Sequence, residues 1–100
     1  MVHAIAYFGT RGLLCKLETG SKTFMVDQSP TPTSVSGTYY GPKTGEQEFT
    51  VHKGSDGLVE INIGSGKFTS STGIFPIAEG SPTGPGIITP SSGSGNWESA

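Results

Sequence analysis

Cysteine is almost absent from this chain, since Cys15 is the only one among 100 residues. A single thiol cannot form an intramolecular disulfide, and the first residues lack the basic stretch and apolar run of a signal peptide. The two absences together favour a reducing, cytoplasmic location. The alternative is a secreted mature form whose leader has been removed. No apolar run is long enough to cross a bilayer, so we expect no membrane span.

Charge is also scarce. Lys, Arg, Asp and Glu make up 14% of the residues, whereas about 25% is typical, and the net charge is −2. The six basic residues are scattered along the chain, and no cluster of them could neutralise several phosphates, so we expect no nucleic-acid partner. The surface must therefore consist largely of Ser, Thr, Gly, Asn and Gln. Such a neutral, hydroxyl-rich surface is typical of binding modules and of assembled shells alike.

Helical periodicity is missing too, because no window carries apolar residues at helical spacing without an interrupting Gly or Pro. The 16 glycines and 7 prolines instead separate short runs rich in β-branched and aromatic residues. The sequence therefore predicts an all-β fold, a single small antiparallel β-sandwich or barrel of about eight short strands. The predicted strands cover residues 2–8, 13–17, 22–27, 35–40, 47–53, 58–63, 67–69 and 74–78.

The patterning within these runs predicts which side chains face the core. The first run is apolar on both faces, which indicates burial of both, and the first three strands are expected to form a meander. In the second strand, Leu13, Cys15 and Leu17 share the expected inward face. The fifth and sixth strands alternate cleanly between apolar and polar residues, which predicts an antiparallel pair with one solvated face.

The chain changes character after residue 79. Residues 1–79 form the predicted β-domain, and residues 80–100 form an extended Gly/Ser/Pro-rich segment interrupted by Ile87, Ile88 and Trp97. We expect these apolar residues to pack on the same domain or on a neighbouring subunit. The alternative interpretation is a loosely held tail.

Residues suited to catalysis or metal binding are few. Cys15, placed between two leucines, indicates a buried structural thiol rather than a nucleophile. His52 is about 13 Å along its own strand from Glu48, but Glu60 could lie opposite it across the following hairpin and form a surface pair. The three Cys and His residues are too few for a structural zinc site, and residues 64–67 fail the phosphate-loop pattern. We therefore expect no enzymatic activity, no metal and no cofactor.

Aromatic residues are the remaining candidates for a functional site. Tyr39 and Tyr40 are adjacent, so on a strand one ring joins the core and the other faces solvent. An exposed aromatic ring beside polar side chains can act as a platform for a sugar ring. The candidate ligand-binding residues are therefore Tyr40, Trp97, Asp56 and Asn62.

Two functional hypotheses follow from these observations. The first is a non-catalytic, lectin-like β module that binds a carbohydrate or another small polar ligand. The alternative is a structural or protein-interaction subunit of an oligomeric assembly, including a homo-oligomer, which makes its contacts through an edge strand.

Overall fold

The computed structural model describes residues 1–9, 11–31, 33–54, 58–71, 88 and 90–99. Its strands form one closed antiparallel barrel. This confirms the all-β prediction, and of the two predicted architectures the chain has the barrel and not the sandwich. The eight strands are β1 (Val2–Phe8), β2 (Leu14–Glu18), β3 (Lys22–Met25), β4 (Thr33–Tyr40), β5 (Glu46–Lys53), β6 (Val59–Ile63), β7 (Gly66–Ser70) and β8 (Ser91–Ser99).

The order around the barrel is β1-β2-β3-β8-β5-β6-β7-β4, and β4 pairs with β1 to close it. The strands β1 to β3 form the predicted meander, and β5 to β7 form a second one. The turn between β2 and β3 depends on Gly20, whose φ of 94° is a conformation that favours glycine. The predicted strand at residues 74–78 lies outside the described residues.

Strand β8 joins the two meanders. Its first part pairs with β5 from Val51↔Ser91 to Glu46↔Asn96, and its last part pairs with β3 from Met25↔Asn96 to Lys22↔Ser99. Residues 91–99 of the Gly/Ser/Pro-rich segment are thus a strand of the barrel. Of the remainder of that segment, the structure describes only Ile88, which is buried in the core, and Pro90.

Large rings fill the interior where inward-facing glycines leave room. A Cβ atom at Gly37 would lie 2.9 Å from Cζ of Phe68, and one at Gly95 would lie 2.8 Å from Cζ of Phe24. The ring of Tyr39 occupies the corresponding space at Gly66. This pairing of small and large residues is how a small barrel packs its interior with side chains, and it directs attention to the outer surface for a ligand site.

Two expectations about burial were wrong, that both faces of β1 are buried and that Leu13 faces inward. In β1 only Ala4, Ala6 and Phe8 are buried, because in a closed barrel the other face of each strand points outward. In β2 the register shifts, so that Tyr7 pairs with Lys16 but Phe8 pairs with Leu14.

This irregularity leaves Cys15 without a cross-strand partner on β1 and changes the face that the preceding residues occupy. Leu14 is consequently buried, whereas Leu13, which was expected to face inward, is 42% exposed. Cys15 and Leu17 are buried as predicted.

Candidate functional site

Cross-strand pairing aligns outward-facing polar side chains into a row across the barrel. Ser92 pairs with Thr50, Thr50 with Asn62, Asn62 with Lys67, and Lys67 with Tyr40. Each step crosses one strand, or about 4.8 Å. The row therefore runs from β8 over β5, β6 and β7 to β4.

A groove lies over the first part of this row. It has a volume of about 600 Å³ and is lined by Glu48, Phe49, Thr50, Asn62, Gly64, Ser92, Gly93 and Ser94. A second hollow of about 520 Å³ is lined by Glu46, Gln47, Glu48, Gly64 and Ser94. The two hollows share Glu48, Gly64 and Ser94, so we treat them as one continuous surface, the β5–β8 groove.

The composition of β8 explains why a hollow forms there. The strand begins with residues 91–95, all Ser or Gly, whose side chains rise little above the sheet, whereas its neighbour β5 carries the longer Glu46 and Glu48. Phe49 contributes little accessible ring to the groove because it is only 5% exposed. Side chains from three strands supply the polar groups of the groove.

These groups can donate and accept hydrogen bonds at several points. Thr50, Ser92 and Ser94 each provide a hydroxyl, Asn62 provides an amide, and Glu48 provides a carboxylate. Among the described residues, none of these five side chains has a hydrogen-bond or ion-pair partner. Their polar atoms are therefore available to a ligand without breaking an internal bond.

A different arrangement occupies the neighbouring part of β6. His52 lies directly opposite Glu60, as the hairpin register was expected to allow. Nε2 of His52 is 3.0 Å from Oε1 of Glu60, and Nζ of Lys67 is 3.6 Å from the same oxygen. The carboxylate of Glu60 is thus already paired on both sides. The lack of enzymatic activity stays a prediction.

Two of the four predicted site residues face outward. Asn62 is half-buried and lines the β5–β8 groove. Tyr40 is 63% exposed, while its neighbour Tyr39 is buried, which confirms that the two rings point to opposite faces. Tyr40 lies two strands beyond Asn62, on the far side of Lys67, and does not line the groove. Asp56 lies outside the described residues.

Trp97 does not lie at the outer surface. Its side chain is inside the barrel with only 6% of the residue exposed, and its ring packs 5.2 Å from that of Phe24 and 5.3 Å from that of Tyr39, centroid to centroid. Nε1 of Trp97 is buried and has no hydrogen-bond partner within the described part of the chain. The ring packs in the core and is not available as a surface platform for a sugar.

Cys15 has the environment of a structural thiol. Burial raises the pKa of the Cys15 thiol, the negative charge of Asp27 raises it further, and a backbone hydrogen bond from Gly9 opposes both effects in part. The thiol points to the carbonyl of Leu13, with Sγ 3.7 Å from the oxygen. The protonated form is therefore favoured, and that form is the poorer nucleophile.

Several groove residues were not among the sequence-based candidates. The alternation of β5 places Glu48 and Thr50 on the solvated face, but nothing in that pattern indicates a hollow beside them. The hollow depends on Ser92 and Ser94 of β8, which belong to a segment without any apolar alternation. That β8 pairs with β5 could not be inferred from composition.

The described part of the chain contains no helix with the length and hydropathy needed to cross a membrane. Within the same residues, no three His, Cys, Asp or Glu side chains are grouped so as to hold a metal ion. Comparison of the chain with protein-family models, with curated proteins and with solved structures finds no match.

Proposed function

We propose that this protein is a non-catalytic, lectin-like module that binds a carbohydrate in the β5–β8 groove. The observation that carries the proposal is a set of polar groups on one concave surface that have no partner within the described part of the chain. Asn62 lies at its centre, between Thr50 and Lys67. Binding sites commonly combine a concave surface with a few convergent polar groups that fix the ligand's orientation.

The chemistry of the groove matches that of a polyol. Each sugar hydroxyl both donates and accepts hydrogen bonds, as do the side chains of Thr50, Asn62 and Ser92. The carboxylate of Glu48 accepts hydrogen bonds at two oxygens, which suits a pair of adjacent sugar hydroxyls. A small polyhydroxylated ligand lying across β5 and β6 would satisfy several of these groups at once.

Tyr40 enters the proposal as a distal contact. It lies two strands from Asn62, which corresponds to about 10 Å of sheet. A mono- or disaccharide held in the groove does not extend that far, whereas an oligosaccharide that crosses β6 and β7 reaches the exposed Tyr40 ring. That ring then provides the apolar platform for a terminal sugar.

A glycan array with labelled protein tests the proposal. The wild-type chain is compared with the double variant Thr50→Ala/Asn62→Ala and with Ser34→Ala, an exposed residue of β4 outside the groove. We expect selective binding to one sugar family, loss of that signal in the double variant and retention in the control. A blank array for the correctly folded wild-type chain would refute carbohydrate binding.

The second candidate function is a structural or protein-interaction subunit of an assembly. It is favoured by the exposed side chains of Met1 and Tyr40 at one corner of the barrel, next to the pair formed by Val2 and Tyr39. The edge strand expected for such contacts is not found among the described strands, because each of them pairs with a neighbour on both sides. We therefore propose that exposed side chains at this corner, and not an edge strand, make the contact between subunits.

Light scattering over a range of concentrations tests this second candidate. An assembly gives a mass that is a multiple of the 10.3 kDa chain and that falls in a Tyr40→Ser variant. A monomer mass at every concentration would contradict a homo-oligomer.

A further inference from the structure

We infer that the β5–β8 groove selects glycans that carry free, protonated amines, such as glucosamine oligomers, over neutral and acidic glycans. The inference rests on the proposed carbohydrate-binding function and narrows the class of its ligand. It depends on the sign of the charges that line the groove and on the absence of cationic partners for them among the described residues.

Among the described residues that line the groove, the two charged ones are both acidic. Glu46 and Glu48 lie on the same side of β5, about 7 Å apart along the strand. Their cross-strand neighbours on β8 are Asn96 and Ser94, which carry no charge. Among the described residues, no Lys or Arg lines either hollow.

Two carboxylates elsewhere on the sheet, those of Glu18 and Glu60, have cationic partners. Glu18 is paired with Lys16 at 3.1 Å, and Glu60 is paired with both His52 and Lys67. Within the described structure, Glu46 and Glu48 have no such cation. Lys67 is the basic residue nearest to Asn62 in the row, but it already contacts Glu60. The groove therefore presents unbalanced negative charge beside several hydroxyls.

An ammonium group on a sugar complements this surface. It donates up to three hydrogen bonds, and those to a carboxylate are stronger than those between neutral groups. Acetylation of the amine removes the charge and most of this gain, whereas a uronate or sulfate would be repelled by both carboxylates. The neighbouring sugar hydroxyls would still bond to Thr50, Ser92 and Ser94, so the amine adds selectivity to the binding proposed above.

Calorimetric titration with two matched ligands tests the inference. The probes are a β-1,4-linked glucosamine tetramer, at a pH where its amines are protonated, and the fully N-acetylated tetramer of the same length. We expect the amine form to bind about tenfold more tightly at low salt, and the difference to shrink as salt is raised.

Two variants that each remove one carboxylate test whether the preference for the amine form arises in the groove. We expect Glu48→Gln to abolish most of the preference for the amine form. Glu98→Gln, which removes an exposed carboxylate on β8 that lines neither hollow, should leave it unchanged. The two variants have the same net charge, so any difference between them cannot come from overall charge.

The outcomes separate this inference from the proposed function. If the acetylated tetramer binds as tightly as the amine form, or if both variants lose the preference equally, the selection by the groove is refuted and carbohydrate binding stands. If neither tetramer binds while the array shows another sugar, the inference again fails alone. If the array is blank as well, the proposed function fails with it.

Discussion

The rings of Trp97 and Tyr39 pack against each other inside the barrel, with their centroids 5.3 Å apart and their planes tilted by 54°. Trp97 lies on β8 and Tyr39 on β4, which are not neighbours in the sheet. The hydroxyl of Tyr39 donates a hydrogen bond to the carbonyl of Pro42 at 2.6 Å. The contact thus joins the inner faces of two separate strands.

Replacement of this indole should destabilise the whole barrel. We expect Trp97→Ala to lower the free energy of unfolding by about 3–5 kcal/mol, because it leaves a cavity between Phe24 and Tyr39. Trp97→Phe keeps most of the ring and should cost less. Urea unfolding followed by circular dichroism measures both variants. Equal stability of Trp97→Ala and the wild-type chain would contradict the buried position.

Gly95 should not tolerate even a methyl group. A Cβ atom there would lie 2.6 Å from the Met25 carbonyl oxygen and 2.8 Å from Cζ of Phe24. We expect Gly95→Ala to lower stability by roughly 1–3 kcal/mol through overpacking. Gly93→Ala is the matched control on the same strand, since its nearest contact would be at 3.1 Å, to the Phe49 ring, and it should cost less. The reverse order would argue against this packing.

Removal of the Glu60 charge should have little effect on folding. The side chains of His52 and Lys67 are 43% and 53% exposed, although that of Glu60 is only 20% exposed. Ion pairs whose cations face solvent contribute little because solvent screens them. We expect Glu60→Gln to change the free energy of unfolding by less than about 1 kcal/mol. A double-mutant cycle with Lys67→Gln measures the coupling directly. A large coupling energy would show that the pair is more strongly desolvated than its exposure indicates.

Cys15 should make stability fall with rising pH. Its pKa in the folded chain is raised above the ordinary value of 9.0, so the unfolded chain loses its thiol proton first as the pH increases. The stabilisation is therefore complete below pH 9.0 and is lost as the pH rises through the folded pKa.

Denaturant unfolding below and above pH 9.0 measures this loss of stability in the wild-type chain and in the Cys15→Ala variant. The variant should show a weaker dependence on pH. What is left of the dependence is expected to come partly from Tyr39, whose pKa burial also raises. An unchanged slope in the variant would rule out Cys15 as the source.

Tyr40 should affect binding only for long ligands. Since it lies about 10 Å beyond Asn62, Tyr40→Ala should leave the affinity of a disaccharide unchanged. The same variant should weaken an oligosaccharide of the preferred family by about threefold to tenfold, as expected for the loss of one stacking contact. Titration with a length series measures both effects. A loss that is independent of ligand length would place the Tyr40 ring at the primary site.

The sequence predicted the orientation of side chains correctly in strands that carry their own alternation of apolar and polar residues. Strands β5 and β6 alternate cleanly, and from them the solvated positions of Thr50, His52 and Asn62 followed directly. The pattern placed Leu13 on the wrong face, although it predicted the burial of Cys15 correctly. The register shift opposite Tyr7 and Phe8 inserts one residue in β2, and no local sequence pattern indicates it.

Strand β8 shows a second reason why sequence reasoning falls short. Its inward positions include Gly93 and Gly95, and rings of Phe49 and Phe24 on other strands occupy the space above them. The apolar side chains that cover the inner face of β8 at these positions therefore come from neighbouring strands. Trp97 is the one large apolar side chain within β8 itself. The composition of such a segment is typical of a linker, although β8 pairs with β3 on one side and with β5 on the other.

The position of β8 also governs how the chain reaches its folded state. The strand pairs with β3 through one part of its length and with β5 through the other, and both pairings close long loops, which slows folding. In any state in which β8 is not in place, β3 and β5 each expose an unpaired edge. Such edges promote aggregation between chains, so the yield of soluble protein should depend on keeping chains dilute during refolding.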